Sequence, residues 1–224
     1  MDGDLYTADA IAGDENHFQT QIRFQRVMHS DPIYQEAVKR FAGLFDLAQT
    51  TDLKEPTAMT LATVGENGQP SVRIVLLRCA DERGFVFFTN SLSRKGIQIA
   101  SNPHAALGLF WDSLGEQVCV EGVASPVGDA ESDIYWKSRP RGSQVGAWAS
   151  LQSEELPTRT MLDQRVEDFE KKFANREVSR PEHWYGYRIA PVRIEFWQEG
   201  VSRLHTRTVY ELREDEWVRF SLYP

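Results

Sequence analysis

Asn67-Gly68 lies between two runs rich in strand formers, Ala58 to Val64 and Ser71 to Arg78. An Asn-Gly step in that setting is a strong short-range hairpin signal, so the two runs read as antiparallel neighbours. The pattern continues along the chain. A turn at Asp81-Glu82-Arg83-Gly84 leads into Phe85 to Asn90, and further strands are expected at Ala105 to Trp111 and Gln117 to Val127. The C-terminal third adds Tyr185 to Ala190, Val192 to Trp197, Thr206 to Leu212 and Trp217 to Leu222. So many strands joined by short turns define a mainly β chain, a closed or nearly closed barrel with helical additions.

The helical additions are legible by spacing. Asp31-Pro32 offers an N-cap and a first-turn proline for a helix to Leu47, with Tyr34, Val38, Phe41 and Phe45 on its apolar side. Shorter helices are expected at Ser91 to Ser101 and 129–138, and a longer one at Thr158 to Phe173. Helices and strands do not alternate, which argues against a doubly wound sheet, and no glycine-rich nucleotide fingerprint follows a strand. Residues 19–224 read as one domain. Residues 1–18, with Asp2, Asp4, Asp9, Asp14 and Glu15, read as a flexible acidic arm.

A net charge of −8 argues against nucleic acid as the main partner. No apolar run has the length of a membrane span, and the first residues lack a basic-then-apolar leader pattern. Cys79 and Cys119 sit in strand-like runs and read as reduced, buried thiols, which points to the cytoplasm. The scattered histidines have no metal-ligand spacing, so no metal is expected.

Against this acidic background four groups stand out. Residues 138–153 carry Arg139 and Arg141 among serines, glutamines and glycines, with no carboxylate in 16 residues. Such donors suit a polyanionic small molecule, although a polar surface loop would look similar. In Arg73 to Arg78 the two arginines are an odd number apart, so a strand would send them to opposite faces. Thr89 to Lys95 places Ser93, Arg94 and Lys95 at a strand end opening a helix. Two cations in a first helical turn oppose the helix dipole, and a bound anion would relieve that conflict. Finally, Glu195-Phe196-Trp197-Gln198 is followed by Arg203, His205 and Arg207, which alternate at spacing two. On a strand they would share one face, self-repelling without an anion. No Ser-His-Asp set or carboxylate pair is evident, so the chain reads as an enzyme whose organic cofactor does the chemistry.

At these residues the chain resembles the pyridoxamine 5′-phosphate oxidase family. The resemblance runs over about residues 55–224. It is carried by Glu55-Pro56-Thr57-Ala58-Met59, Arg73 to Leu77, Ser93-Arg94-Lys95, Ser138 to Gln144, Gly146-Ala147-Trp148, Gln152-Ser153, Ile194 to Gln198 and Arg203-Leu204-His205. It implies an FMN-binding split β-barrel working as a homodimer, with FMN in the interface. By position, Arg73, Ile74, Val75, Leu76, Leu77, Phe88, Thr89, Arg94, Lys95, Gln117, Gln152, Ser153, Trp197 and Arg207 would contact FMN. Arg78, Tyr135, Arg139 and Ser143 would hold the substrate phosphate. Arg203 and His205 would be catalytic, lying against the pyridine ring. The implied reaction oxidises pyridoxamine or pyridoxine 5′-phosphate to pyridoxal 5′-phosphate, with O2 reduced to hydrogen peroxide and ammonia released from the amine.

The chain departs from the family pattern in places. Arg78 replaces a usual lysine, Thr206 a usual aspartate, and Ser221-Leu222-Tyr223-Pro224 the usual ending. The usual Arg-Arg-x-Tyr run of the N-terminal arm has at best a distant counterpart in Gln21-Ile22-Arg23-Phe24. Two other readings stay open: a split-barrel flavin oxidase of the phenazine-biosynthesis type, and a non-catalytic binder of FMN or pyridoxal phosphate.

Overall fold

The computed structural model describes residues 31–224. The acidic arm and the Gln21 to Phe24 counterpart lie outside them. Helix α1 (Pro32–Gln49) starts as its sequence dictates. The Asp31 carboxylate accepts from the Ile33 and Tyr34 amides at 2.8 and 3.2 Å. Its buried face, Tyr34, Ala37 and Phe41, packs on the sheet, where Phe41 meets Phe85 edge-on at 4.8 Å. Burying a side chain of this size contributes about 1.5–3 kcal/mol.

Among the described residues nine strands form one antiparallel sheet: β1 (Ala58–Val64), β2 (Pro70–Leu76), β3 (Cys79–Asp81), β4 (Gly84–Asn90), β5 (His104–Trp111), β6 (Glu116–Pro126), β7 (Trp184–Gln198), β8 (Thr206–Arg213) and β9 (Glu216–Leu222). The order is β2-β1-β5-β6-β7-β4-β3, with β8 and β9 continuing from β7. Strands β2 and β3 lie at opposite ends of that path, yet only Leu77 and Arg78 separate them in sequence. The chain itself therefore pulls the two edges together and curls the sheet into a barrel. Leu77 donates its amide to the Thr57 carbonyl and Arg78 donates to Val86, both at 2.8 Å. At the β1–β2 turn Gly68 takes the left-handed conformation, φ 76°.

One strand was expected as two. The run 184–198 is continuous through Pro191. Its β4 pairing ends at Ile189 and its β8 pairing begins at Arg193, so the proline falls where no second neighbour needs its missing N–H. On the β6 side Pro191 faces Gly122 at a register shift. A Cβ on Gly122 would sit 2.3 Å from the Ala190 carbonyl oxygen, so that close approach requires glycine.

The barrel interior is filled by Leu61, Leu107, Leu109, Val118, Val120, Ile194 and Phe196, all buried. A second core lies under α3 (Asp129–Ser138), α4 (Arg141–Ala149) and α5 (Arg159–Lys172), built on Trp136, Val145, Phe173, Val178 and Trp184. Helix α4 was not expected from sequence, since Gly142, Ser143 and Gly146 are poor helix formers. Tertiary contacts hold it: Val145 and Ala149 are fully buried, and Arg165 donates to the Ala149 carbonyl at 2.6 Å. Both cysteines are free thiols, half-buried rather than buried.

Candidate active site

Between the curled barrel edge and the α3–α4 layer lies a cleft of about 760 Å³. Ile74, Val75, Leu76 and Arg78 line one wall, Phe88, Thr89 and Lys95 the floor, and Tyr135, Arg139, Ser143 and Gln152 the other side. Four separate sequence stretches thus converge on one space. The reason is the barrel closure, which brings β2 against β4 and sets α2 (Arg94–Ser101) at the end of β4.

Lys95 is the chemical centre of this cleft. Its Nζ donates to Thr89 Oγ1, Ser93 Oγ and Gln152 Oε1, each at 3.1 Å. All three partners are neutral. Burial, with Arg73 adding repulsion, pushes the Lys95 ammonium down to about 8. Arg73 is held in the same way, by the Leu61 carbonyl, Thr63, Ser71 and Gln98. Burial and then Arg94 push its guanidinium below the ordinary value. Among the described residues no carboxylate pairs with Arg73 or Lys95. A concentration of buried positive charge without counterions is the arrangement expected of an anion site.

The opposite wall is aromatic. Phe88 stacks on Tyr135 with centroids 4.1 Å apart, and Trp184 stacks on Phe88 at 5.5 Å. The Arg139 guanidinium lies 4.5 Å from the Trp184 centroid and 5.2 Å from that of Trp136. Its Nη1 is buried with no hydrogen-bond partner, and burial pushes the group below its ordinary value. Arg78 sits over Tyr135 at 5.6 Å. The cleft thus pairs a flat aromatic wall with cations that have no counterion among the described residues, one of which, Arg139, keeps an unspent donor.

The remaining expected residues lie elsewhere. Gln117, Trp197 and Arg207 are directly opposite one another on β6, β7 and β8, in register with Phe110 of β5. Opposite partners share a face, and the alternating residues Val118 and Phe196 fill the core, so this row is on the outside of the barrel. None of these residues lines the cleft. Arg203 and His205 correct the sequence reading: Val201–Arg203 is a 3-10 turn with Ser202 and Arg203 at positive φ, and β8 begins only at Thr206. The three alternating cations therefore do not form one strand face. His205 packs on Trp197 at 4.4 Å, and its Nδ1 accepts from the Gly200 amide at 3.2 Å. Nor is Arg207 without a counterion. Its Nε donates to Glu195 at 2.6 Å, a neighbouring-strand carboxylate that sequence spacing could not reveal.

Other placements also differ from simple expectation. Leu77 turns its side chain into the core and spends its amide on the Thr57 carbonyl, so neither is free to serve a ligand. Arg73 and Arg78 do diverge, but because β2 stops at Leu76, not because one strand carries both. Arg94 and Ser153 are exposed beside the cleft, Ser153 with φ 79°. Sequence reasoning missed Trp184 in the lining and Gln98 behind Arg73, while Asn90 and Gly146 lie in groups it singled out without giving either a role of its own. A helix-opening Ser-Arg-Lys with a polar residue one turn on was the only available signal for Gln98.

A half-closed antiparallel barrel with an anion-seeking, aromatic-walled cleft at its edge defines a binder of phosphorylated aromatic molecules. Comparison with known proteins narrows this class. Residues 46–173 match the family model described as pyridoxamine 5′-phosphate oxidase, and residues 184–224 match the pyridoxine 5′-phosphate oxidase C-terminal dimerisation region. The chain belongs to the pyridoxamine 5′-phosphate oxidase family. It is 52% identical over 199 residues to the pyridoxine/pyridoxamine 5′-phosphate oxidase of Myxococcus xanthus, covering 88% of this chain and 96% of that one. A counterpart from Acaryochloris marina is 44% identical, covering 97% of each chain. Among solved structures, PhzG from Burkholderia lata 383, in complex with tetrahydrophenazine-1-carboxylic acid, superposes with a TM-score of 0.77 at 33% identity. That alignment covers 87% of this chain and 93% of PhzG.

Proposed function

We propose that this chain is an FMN-dependent oxidase that converts pyridoxamine and pyridoxine 5′-phosphates to pyridoxal 5′-phosphate, as a homodimer in the cytoplasm. The observation that carries the reading is Lys95, a buried ammonium held only by neutral oxygens beside Arg73 at the foot of the cleft. A phosphate dianion fits that donor set, and the flat wall of Phe88, Tyr135 and Trp184 fits an aromatic ring. When bound, FMN supplies the hydride acceptor and is reoxidised by dioxygen. With the amine, substrate, O2 and water give aldehyde, ammonia and hydrogen peroxide; with the alcohol, substrate and O2 give aldehyde and peroxide.

The protein's share is binding and orientation. Arg73, Arg94 and Lys95 hold the cofactor phosphate, with Thr89, Gln152 and Ser153 closing over it. The 74–77 backbone and Phe88 flank the cofactor. Arg139, Ser143, Tyr135 and Arg78 hold the substrate phosphate, Arg139 through the Nη1 that has no protein partner. Gln117, Trp197 and Arg207, with the catalytic Arg203 and His205, complete the site from the outer face of the second copy. Supporting this division, the cleft and the outer-face row are separate on one chain, and β7 to β9 match a dimerisation region. Among the described residues no helix is long and apolar enough to cross a membrane.

The phenazine-type alternative has a solved relative in its favour, but at 33% identity against 52% for the named oxidase. Peroxide formation separates the readings. Release on adding pyridoxamine 5′-phosphate supports the proposal. Release only with a reduced phenazine carboxylic acid overturns the substrate, and flavin binding without turnover of either overturns the enzyme.

A further inference from the structure

Gln98 lies one turn beyond Lys95 in α2, with its side chain buried. Its amide oxygen accepts from the Thr63 hydroxyl at 2.6 Å, the Ser71 hydroxyl at 2.8 Å and Arg73 Nη2 at 3.3 Å. The same two hydroxyls accept from Arg73: Nη1 donates to Thr63 and Nη2 to Ser71, both at 2.6 Å. A hydroxyl has one proton to give. Since both protons go to Gln98, the lone pairs of Thr63 and Ser71 are turned toward the guanidinium. Gln98 thereby sets the direction of the whole fork that holds Arg73.

A carboxylate of the same shape would accept these bonds more strongly. It would also neutralise Arg73, whose charge has no other counterion among the described residues. The neutral amide holds the arginine and leaves that charge available to a ligand.

We propose that Gln98 is a positioning residue for the FMN phosphate: it fixes Arg73 from behind while keeping its positive charge uncompensated. The inference rests on the placement of that phosphate at Arg73, Arg94 and Lys95.

FMN and riboflavin share the ring system and differ in the phosphate, so their affinities separate a phosphate effect from a loss of shape. Both are titrated into the full-length apoprotein by quenching of flavin fluorescence. Gln98→Glu should weaken FMN by about tenfold or more while riboflavin stays within about twofold. Equal weakening of both flavins overturns the proposal, because a merely structural residue would act that way. Lys95→Met runs beside it. If Lys95→Met loses FMN selectively and Gln98→Glu does not, the Gln98 inference fails and the phosphate placement stands. If Lys95→Met shows no selectivity either, the placement fails and takes the inference with it. Should Gln98→Glu not fold, Ser71→Ala removes one arm of the fork and must show the same selectivity in smaller degree; equal loss of both flavins overturns the proposal there too.

Discussion

Lys95 Nζ and Gln152 Oε1 lie 3.1 Å apart across 57 residues of sequence, joining the first turn of α2 to the segment that follows α4. The contact makes the cleft floor depend on both halves of the chain, and it leaves the ammonium charge unanswered. Burial and Arg73 bring Lys95 down to about 8. A phosphate dianion favours the charged form and raises that value on binding. Below pH 8 the ammonium is charged in both free and bound protein, and FMN affinity should be flat. Above it the free protein has lost the proton that the complex needs, so affinity should fall by up to about tenfold per pH unit. Fluorescence titrations from pH 7 to 9.5 test this, with riboflavin as the phosphate-free control. A flat FMN profile in that range defeats the charge assignment of Lys95.

Arg139 lies over the rings of Trp184 and Trp136 and keeps one buried Nη without a partner. A lysine has neither the plane to stack nor the fork to reach a phosphate from there. Arg139→Lys and Arg139→Ala should both raise KM for pyridoxamine 5′-phosphate by about tenfold or more, with FMN affinity within about twofold of wild type. Steady-state kinetics beside flavin titration decide the matter. Equal damage to FMN binding would mean the guanidinium serves the cofactor or the fold instead.

Glu195 joins Arg207 at 2.6 Å and Arg193 at 2.8 Å. Burial pushes its carboxyl up, but the hydrogen bonds from the two arginines outweigh burial and hold it below its ordinary 4.5. A carboxyl depressed in the folded state stabilises the fold above its unfolded value, and that contribution is lost as pH falls through the folded one. Glu195→Gln should therefore cost about 1–3 kcal/mol at pH 7 and flatten the loss of stability below pH 4.5. Thermal melts of both proteins from pH 3 to 7 measure it. Parallel curves would show that the pair contributes nothing to acid sensitivity.

The sequence carried the strands, the first hairpin and the capped helices because these are written in local chemistry: Asn67-Gly68, Asp31-Pro32, and Thr158 before α5. It also carried the cationic groups, since cations without nearby carboxylates stand out in an acidic chain. Partners brought in by neighbouring strands were not legible. Glu195 is 12 residues from Arg207 in sequence yet forms its ion pair across the β7–β8 ladder. Helix α4 was hidden for a related reason: its weak local propensity is overruled by the burial of Val145 and Ala149. Trp184 gave no signal because its role comes from stacking on Phe88 and on Tyr135, which arrives from α3.

The outer-face row yields the last prediction. Phe110 stands 60% exposed in register with Gln117, Trp197 and Arg207, and it lines no part of the cleft. On the same barrel, Val72 and Ile74 of β2 are also exposed, at 67% and 63%. If the second copy covers this surface and receives Gln117, Trp197 and Arg207 at its own cleft, one charge at Phe110 should act on both assembly and cofactor. Phe110→Asp should shift the light-scattering mass from twice 25.6 kDa toward 25.6 kDa. It should also weaken FMN by about tenfold or more, although every cleft residue is intact, because a desolvated charge opposes the interface and removes the donors that the partner brings. An unchanged far-ultraviolet circular dichroism spectrum in the variant would show that the barrel itself is unharmed. A dimer with unchanged FMN affinity would place the interface elsewhere and leave the outer row without a role in the site.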